Sequence, residues 1–320
     1  MTTPNVLKKM AKTIILASPR GFCAGVDRAI KIVEVALEKF GRPVYVRHEI
    51  VHNKRVVNDL AAKGAVFVKE LDEVPSGSPV IFSAHGVAKT VHQTAKKLNM
   101  IAIDATCPLV TKVHLEANKH VRQGRHIFLI GHAGHPEVIG TMGQVEASEI
   151  TLIETVEDAS AVQPPEDCDL AFATQTTLSA DETAEIITVL QHRFPEIRGP
   201  KGEDICYATT NRQNAVKAMA KDVDLCLVIG AQNSSNSKRL VETALKAGIA
   251  KAELIADSNM LPYELIDDAA VISLTAGASA PEVLIDEVLT TLAERYQIEV
   301  KTQNFITEKM QFKLPSMLTK

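Results

Sequence analysis

The chain has 320 residues, 46% hydrophobic, 23% charged and only 4% aromatic, with no tryptophan and a formal net charge of −4. That is the composition of a globular protein of two or three compact units. It excludes a chain-wide basic field for nucleic acid or an anionic membrane, and leaves few aromatic platforms for stacking bases or sugars.

No apolar run approaches the roughly 18 residues of a membrane span. Residues 1–12 are polar, with three lysines, and lack the apolar centre of a signal peptide. A cytoplasmic enzyme is expected, with no nucleic-acid or membrane partner. In chain order, residues 13–17 (TIILA) predict a short strand, and 26–40 have helical apolar spacing. A strand at 44–46 precedes a helix at 55–63 that Gly64 closes. Strands follow at 80–83 (VIFS) and 100–103 (MIAI), with helices at 87–98 and 110–122. Further strands fall at 127–130 (IFLI), 150–153, 170–173, 225–229 (LCLVI) and 271–274 (VISL), before a helix at 282–295. Short apolar strands alternating with longer amphipathic helices predict an α/β protein with mostly parallel sheets covered on both faces. The tail beyond Val300 shows no clear periodicity.

The unusual polar residues concentrate just past strands: ASPRGFCAG, FSAHG, AIDATCPLV, IGHAGHPE, ATQTTLS, GEDICYATTNRQ, IGAQNSSNS and LTAGASAP. In open α/β sheets ligands bind beyond the carboxyl ends of strands, where helix N-termini offer unpaired N–H groups. Five cysteines, an odd number without any CxxC pair, argue against a disulfide scaffold, a zinc ribbon or a thioredoxin-like motif. Cys226 lies inside an apolar strand and reads as a buried small hydrophobe; Cys168 sits among carboxylates that disfavour a thiolate. Cys23, Cys107 and Cys206 each stand at a turn into a helix, where the dipole lowers a thiol pKa. Three thiolates suit an iron–sulfur cluster with one iron left open to substrate, with zinc as the competing metal.

Their positions also divide the chain into three similar α/β units: 13–107, whose first strand and Cys23 loop are free to pack with the third unit, 108–202 and 203–298, with a tail at 299–320. Among ten histidines, His52, His85, His132 and His135 lie at strand ends and suit phosphate oxygens. His48, His92, His114, His120, His126 and His192 are expected on solvated surfaces. Ser234, Ser235 and Asn236 in QNSSNSK, and Ser279 in TAGASAP, offer neutral donors beside a helix start. No GxxxxGK[ST] or strand-following GxGxxG is present. Glu137 is the one carboxylate in this polar set and a candidate acid; Thr176 and Thr177 read equally as helix caps or ligand donors.

Taken in order, PRGFCAGV, EIVHN, FSAHGV, DATCPLV, GHAGHPEVIGTMGQ, ATQTTLS, DICYATTNRQ, GAQNSSNS and TAGASAPE closely resemble the 4-hydroxy-3-methylbut-2-enyl diphosphate reductase family over residues 13–295. The resemblance implies three α/β domains arranged pseudo-threefold about one [4Fe–4S] cluster with three cysteine ligands, Cys23, Cys107 and Cys206. It implies diphosphate donors at His52, His85, His135, Ser234, Ser235, Asn236 and Ser279, a proton-delivering acid at Glu137, and a threonine near the substrate hydroxyl at Thr176. The activity implied is reductive dehydroxylation of the substrate to isopentenyl and dimethylallyl diphosphate, the last step of the methylerythritol phosphate route, with reduced ferredoxin or flavodoxin as electron donor. An iron–sulfur hydro-lyase, needing no reductant, and a cluster-based sensor, binding no diphosphate, are the alternatives. Nothing carries over to residues 1–12 or to the tail from Lys301.

Overall fold

The computed structural model describes residues 9–319. Its strands are β1 (Ala11–Ser18), β2 (Val44–Arg47), β3 (Ala65–Val68), β4 (Pro79–Phe82), β5 (Ile101–Asp104), β6 (Arg125–Ile130), β7 (Ile150–Ile153), β8 (Asp169–Thr174), β9 (Leu225–Ile229), β10 (Lys251–Ile255), β11 (Val271–Ala276) and β12 (Gln297–Asn304). They form three sheets, in the orders β10-β9-β11-β1-β12, β3-β2-β4-β5 and β7-β6-β8. Every pairing is parallel. The protein is therefore α/β with three parallel sheets, as the alternation of short strands and longer helices predicts.

The chain forms two compact units. One contains the described residues up to Phe22 together with Asn211–Lys309; the other contains Cys23–Thr210 and the segment from Met310 onward. In the first unit the period of two along β9 sends Leu225, Leu227 and Ile229 to one face and Cys226 and Val228 to the other. Leu284, Ile285, Val288 and Leu292 of the helix Glu282–Arg295 cover the first face. Val216 and Met219 of Tyr207–Met219, with Leu240 and Ala244 of Ser235–Lys246, cover the second. A strand buried on both sides must be apolar throughout, and LCLVI is. In the second unit β6 divides in the same way: Phe128 and Ile130 pack with Ile186 and Leu190, while Ile127 and Leu129 pack with Val113, Ala117 and Val138.

Three strands were not legible in the pattern. Both β3 and β10 are sheet edges: β3 (AVFV) is apolar but only four residues long, and β10 (KAELI) mixes Lys251 and Glu253 with apolar residues. β12 corrects the reading of the tail as aperiodic: it pairs with β1 over eight residues, from Ala11↔Gln297 to Ser18↔Asn304, although nearly all its side chains are exposed. Backbone hydrogen bonding to the edge of β1 holds it, and that leaves no hydrophobic signature. A second correction concerns histidines. His114, His120 and His126 are buried, at 9%, 7% and 7% exposure. His114 and His120 continue the buried stripe Val110, Val113 and Ala117 of the helix Pro108–Arg122. His126 Nε2 pairs with Thr151 Oγ1 at 2.8 Å.

Candidate functional site

The second unit brings Cys23, Cys107 and Cys206 together. Cys23 caps the helix Ala24–Phe40 and Cys107 caps Pro108–Arg122; the Cys206 carbonyl accepts the Thr210 N–H at 3.1 Å as Tyr207–Met219 begins. Hydrogen bonds tie down the three turns. Cys107 N–H donates to the Ala84 carbonyl and Cys206 N–H to the Thr176 carbonyl, each at 3.0 Å. Ala24 N–H donates to Tyr207 Oη at 3.2 Å, linking the start of the Cys23 helix to the residue after Cys206. Gly25 lies against the sulfurs: a Cβ there would stand 2.8 Å from Cys107 Sγ and 3.7 Å from Cys23 Sγ.

The expected lowering of these thiol pKa values is overturned for two of them. Burial pushes Cys107 up to about 12, and proximity to Cys23 and Cys206 raises it further, against the N–H groups of Leu109 and Val110. Burial likewise pushes Cys206 up to about 11, with Cys23 adding to it and Thr209 opposing it. The helix N-terminus does favour the thiolate, but desolvation and mutual repulsion outweigh it. Such a set ionises when cations compensate it, which is the chemistry of a metal-binding thiolate group. Among the described residues no three His, Cys, Asp or Glu side chains are placed to hold a single ion. Cys226 is wholly buried in the core, as expected, and Cys168 donates to the Pro165 carbonyl at 3.3 Å.

Glu137 lies in the first turn of the helix Pro136–Met142 and is 3% exposed. Its Oε1 accepts the Thr176 N–H at 2.6 Å and its Oε2 accepts the Thr176 hydroxyl at 3.0 Å. Burial raises its pKa to about 7, against both Thr176 bonds and helped by the negative Asp204. A carboxyl half-protonated near neutral pH is matched to proton delivery. Because Thr176 also accepts Cys206 N–H, one turn connects the acid to the thiol group.

Three half-buried imidazoles form the next cluster. His52 stacks on His85 with ring centroids 4.1 Å apart, and His135 meets both edge-on at 5.7 and 6.0 Å. Burial, then repulsion from His52, His135 and His48, holds His85 well below the usual imidazole range. Burial, with His52 and His132, brings His135 to about 4. His135 Nδ1 accepts the Glu137 N–H at 3.1 Å, which places the proton of the neutral ring on Nε2. An anion bound here would oppose the burial and repulsion that hold His85 and His135 down.

The remaining predicted donors belong to the first unit. Ser234 caps the helix Ser235–Lys246, its Oγ accepting the Ser237 N–H at 3.3 Å and the Ser237 hydroxyl at 3.0 Å. The ends of β9 and β11 run directly against Ser237: a Cβ on Gly230 or Gly277 would collide with its Oγ. Asn236 is 4% exposed, and neither atom of its amide has a partner among the described residues. A buried amide left unsatisfied costs roughly 1–3 kcal/mol, and this one has bonding capacity left over. Ser235 is half-buried and Ser279 buried in the loop after β11. The sequence pattern alone does not single out Ser237, Gly25 or Tyr207. Ser237 is visible as the fourth residue of an S-x-x-S cap, whereas the packing of Gly25 and Tyr207 has no local signal.

A parallel α/β enzyme that gathers buried thiols, neutral imidazoles and a near-neutral acid at strand ends falls in the class of metal-dependent oxidoreductases acting on anionic substrates. Sequence comparison narrows this. A family model described as "LytB protein" matches residues 14–293. The chain is 58% identical over 311 residues to the 4-hydroxy-3-methylbut-2-enyl diphosphate reductase of Paracoccus denitrificans, covering 97% of this chain and 98% of the relative. It is 55% identical over 312 residues to the enzyme of the same name from Ruegeria pomeroyi, covering 98% and 99%. The solved E-1-hydroxy-2-methyl-but-2-enyl-4-diphosphate reductase of Plasmodium falciparum superposes with a TM-score of 0.90 at 37% identity, covering 98% of this chain and 97% of that one. The chain belongs to the LytB protein family, an iron–sulfur family of diphosphate reductases. Among the described residues no helix is long and apolar enough to cross a membrane.

Proposed function

We propose that this chain, acting in the cytoplasm, reductively removes the allylic hydroxyl of (E)-4-hydroxy-3-methylbut-2-enyl diphosphate, releasing isopentenyl and dimethylallyl diphosphate. The overall change takes up two electrons and two protons, breaks the carbon–oxygen bond and releases water. A [4Fe–4S] cluster, one per chain and held by Cys23, Cys107 and Cys206, would supply those electrons one at a time and an iron with Lewis acidity. Reduced ferredoxin or flavodoxin would be the donor. The three α/β domains are taken as 13–107, 108–202 and 203–298, with 299–320 as tail.

The protein's own part is positioning and proton delivery. Glu137 gives a proton to the departing hydroxyl, and Thr176 orients the carboxyl through its two hydrogen bonds. His52, His85 and His135 donate to diphosphate oxygens, and the lowered pKa values of His85 and His135 rise as the anion arrives. Ser234, Ser235, Asn236 and Ser279 are the neutral diphosphate donors that the family resemblance implies. Glu137 carries this reading: a buried carboxyl poised at about 7, tied through the Thr176 turn to a cluster-binding cysteine. The test is iron and acid-labile sulfide content with Mössbauer spectra on protein purified without oxygen, then turnover with and without reductant. About four of each per chain, one iron responding to substrate, and turnover only with reductant are expected. Iron-free protein after anaerobic reconstitution refutes the cluster; turnover without reductant refutes the reduction.

A further inference from the structure

The N–H groups of the loop into the Cys107 helix are all bonded: Ala105 to the Phe82 carbonyl at 3.1 Å, Cys107 to the Ala84 carbonyl at 3.0 Å, and Thr106, with its hydroxyl, to the Asp104 carboxylate. The carbonyls of Ala105 and Thr106 are met from elsewhere. Arg28, in the second turn of the helix that Cys23 caps, sends Nη1 to Ala105 O at 3.3 Å and to Thr106 O at 3.0 Å. Its Nε donates to the carbonyl of Lys313 at 2.8 Å. The same helix holds the segment at a second point, where Lys39 Nζ donates to Met317 O at 2.7 Å, and Leu318 is buried at 7% exposure. One guanidinium thus joins the helix of one cysteine, the loop of another and the segment 310–319.

We infer that Arg28 is a positioning residue for the metal centre, clamping the Cys107 loop between the Cys23 helix and the segment 310–319 and setting a fixed positive charge beside the Cys107 sulfur. The planar fork suits this role, because it holds several carbonyls at once in fixed geometry, which an ammonium does not. Burial lowers the Arg28 pKa, but the adjacent Cys107 and Asp104 favour the cation. Neighbours that orient a metal ligand typically change metal affinity by about 10–100-fold, and nearby charge tunes the potential of a cluster. The inference rests on the cluster assignment above.

The experiment uses holoenzyme of wild type, Arg28→Gln, Arg28→Lys and a deletion of residues 312–320. It reads the rate of iron release to a chelator and the cluster midpoint potential. Arg28→Gln is expected to release iron about tenfold faster. It should also disfavour the reduced form about tenfold, a shift of about 59 mV for a one-electron couple. Arg28→Lys restores the charge without the fork, so its potential returns toward wild type while release stays fast. The deletion removes the Lys313 and Met317 carbonyls, speeding release with the potential unchanged. The clamp is wrong if the deletion releases iron at the wild-type rate, or if Lys shifts the potential as far as Gln does. Should Arg28→Gln not fold, the deletion decides, with Arg28→Lys, which must release iron faster than wild type at a near-wild-type potential. Wild type without iron refutes the proposed function; loaded wild type with unaltered variants refutes only the clamp.

Discussion

Replacing Thr176 by valine tests how the acid is tuned. Valine keeps the branched shape and the backbone N–H to Glu137 Oε1 at 2.6 Å, and removes only the hydroxyl that donates to Oε2 at 3.0 Å. That hydroxyl bonds the ionised carboxylate, and both Thr176 bonds lower the Glu137 pKa against burial. A hydrogen bond to a charged group contributes about 1.5–3 kcal/mol, and one pKa unit corresponds to about 1.36 kcal/mol. Losing it should therefore raise Glu137 by roughly one to two units above its value of about 7. A general acid works in its protonated form, so the alkaline limb of kcat/KM against pH should move up by the same amount. Any contact between the hydroxyl and substrate lowers the rate at all pH values and leaves the limb where Glu137 puts it. The assay is kcat/KM over about pH 6 to 10 with excess reductant, beside an infrared titration of the carboxyl in metal-free protein. An infrared pKa that rises while the kinetic limb stays still would show that another group delivers the proton. A carboxyl that does not move would refute the electrostatic argument itself.

Glu137→Gln should keep its iron and lose about 10²–10⁴ in turnover; iron analysis with steady-state rates checks this, and a near-wild-type rate sinks the proton-delivery role. Gly25→Ala, ordinarily favourable in a helix by roughly 0.5–1 kcal/mol, should here cut iron content, because its Cβ would stand 2.8 Å from Cys107 Sγ; full iron loading contradicts the packing. Asn236→Ala should weaken binding of inorganic pyrophosphate by about tenfold at little cost in stability, since it removes an amide that has no partner among the described residues; calorimetry showing unchanged affinity removes Asn236 from the diphosphate site. Stability of the apo protein should rise with pH between 4.5 and 6.5. His85, His114 and His135, all held below the usual imidazole range, are protonated first in the unfolded chain, while Glu137, at about 7, is protonated first in the folded one. The three imidazoles outweigh the one carboxyl, so stability rises with pH, and Glu137→Gln should steepen the rise. Denaturant titrations at several pH values that give a flat or inverted profile contradict these assignments.

The parallel α/β architecture was legible because strands buried on both faces must be apolar throughout, and runs such as IFLI and LCLVI stand out against amphipathic helices. β12 was not, since a polar strand held only by backbone bonds carries no pattern. His114 and His120 looked like surface residues beside charges, and their place on the buried stripe of a helix emerges only when neighbouring elements cover that stripe.

The candidate residues themselves came from the sequence: three cysteines at helix starts, histidines and serines past strand ends, and one carboxylate among them. Residue type and distance from a strand end are local properties, and local sequence determines them. The ionisation of those residues was a tertiary matter. The dipole at the helix starts was expected to lower the thiols, yet burial and the proximity of three sulfurs drive Cys107 and Cys206 up to about 12 and 11. The same burial makes an acid of Glu137 at neutral pH and holds His135 at about 4. Desolvation and charge–charge interaction depend on what segments far apart in the chain bring within a few ångströms. Spacing along the sequence carries no record of that.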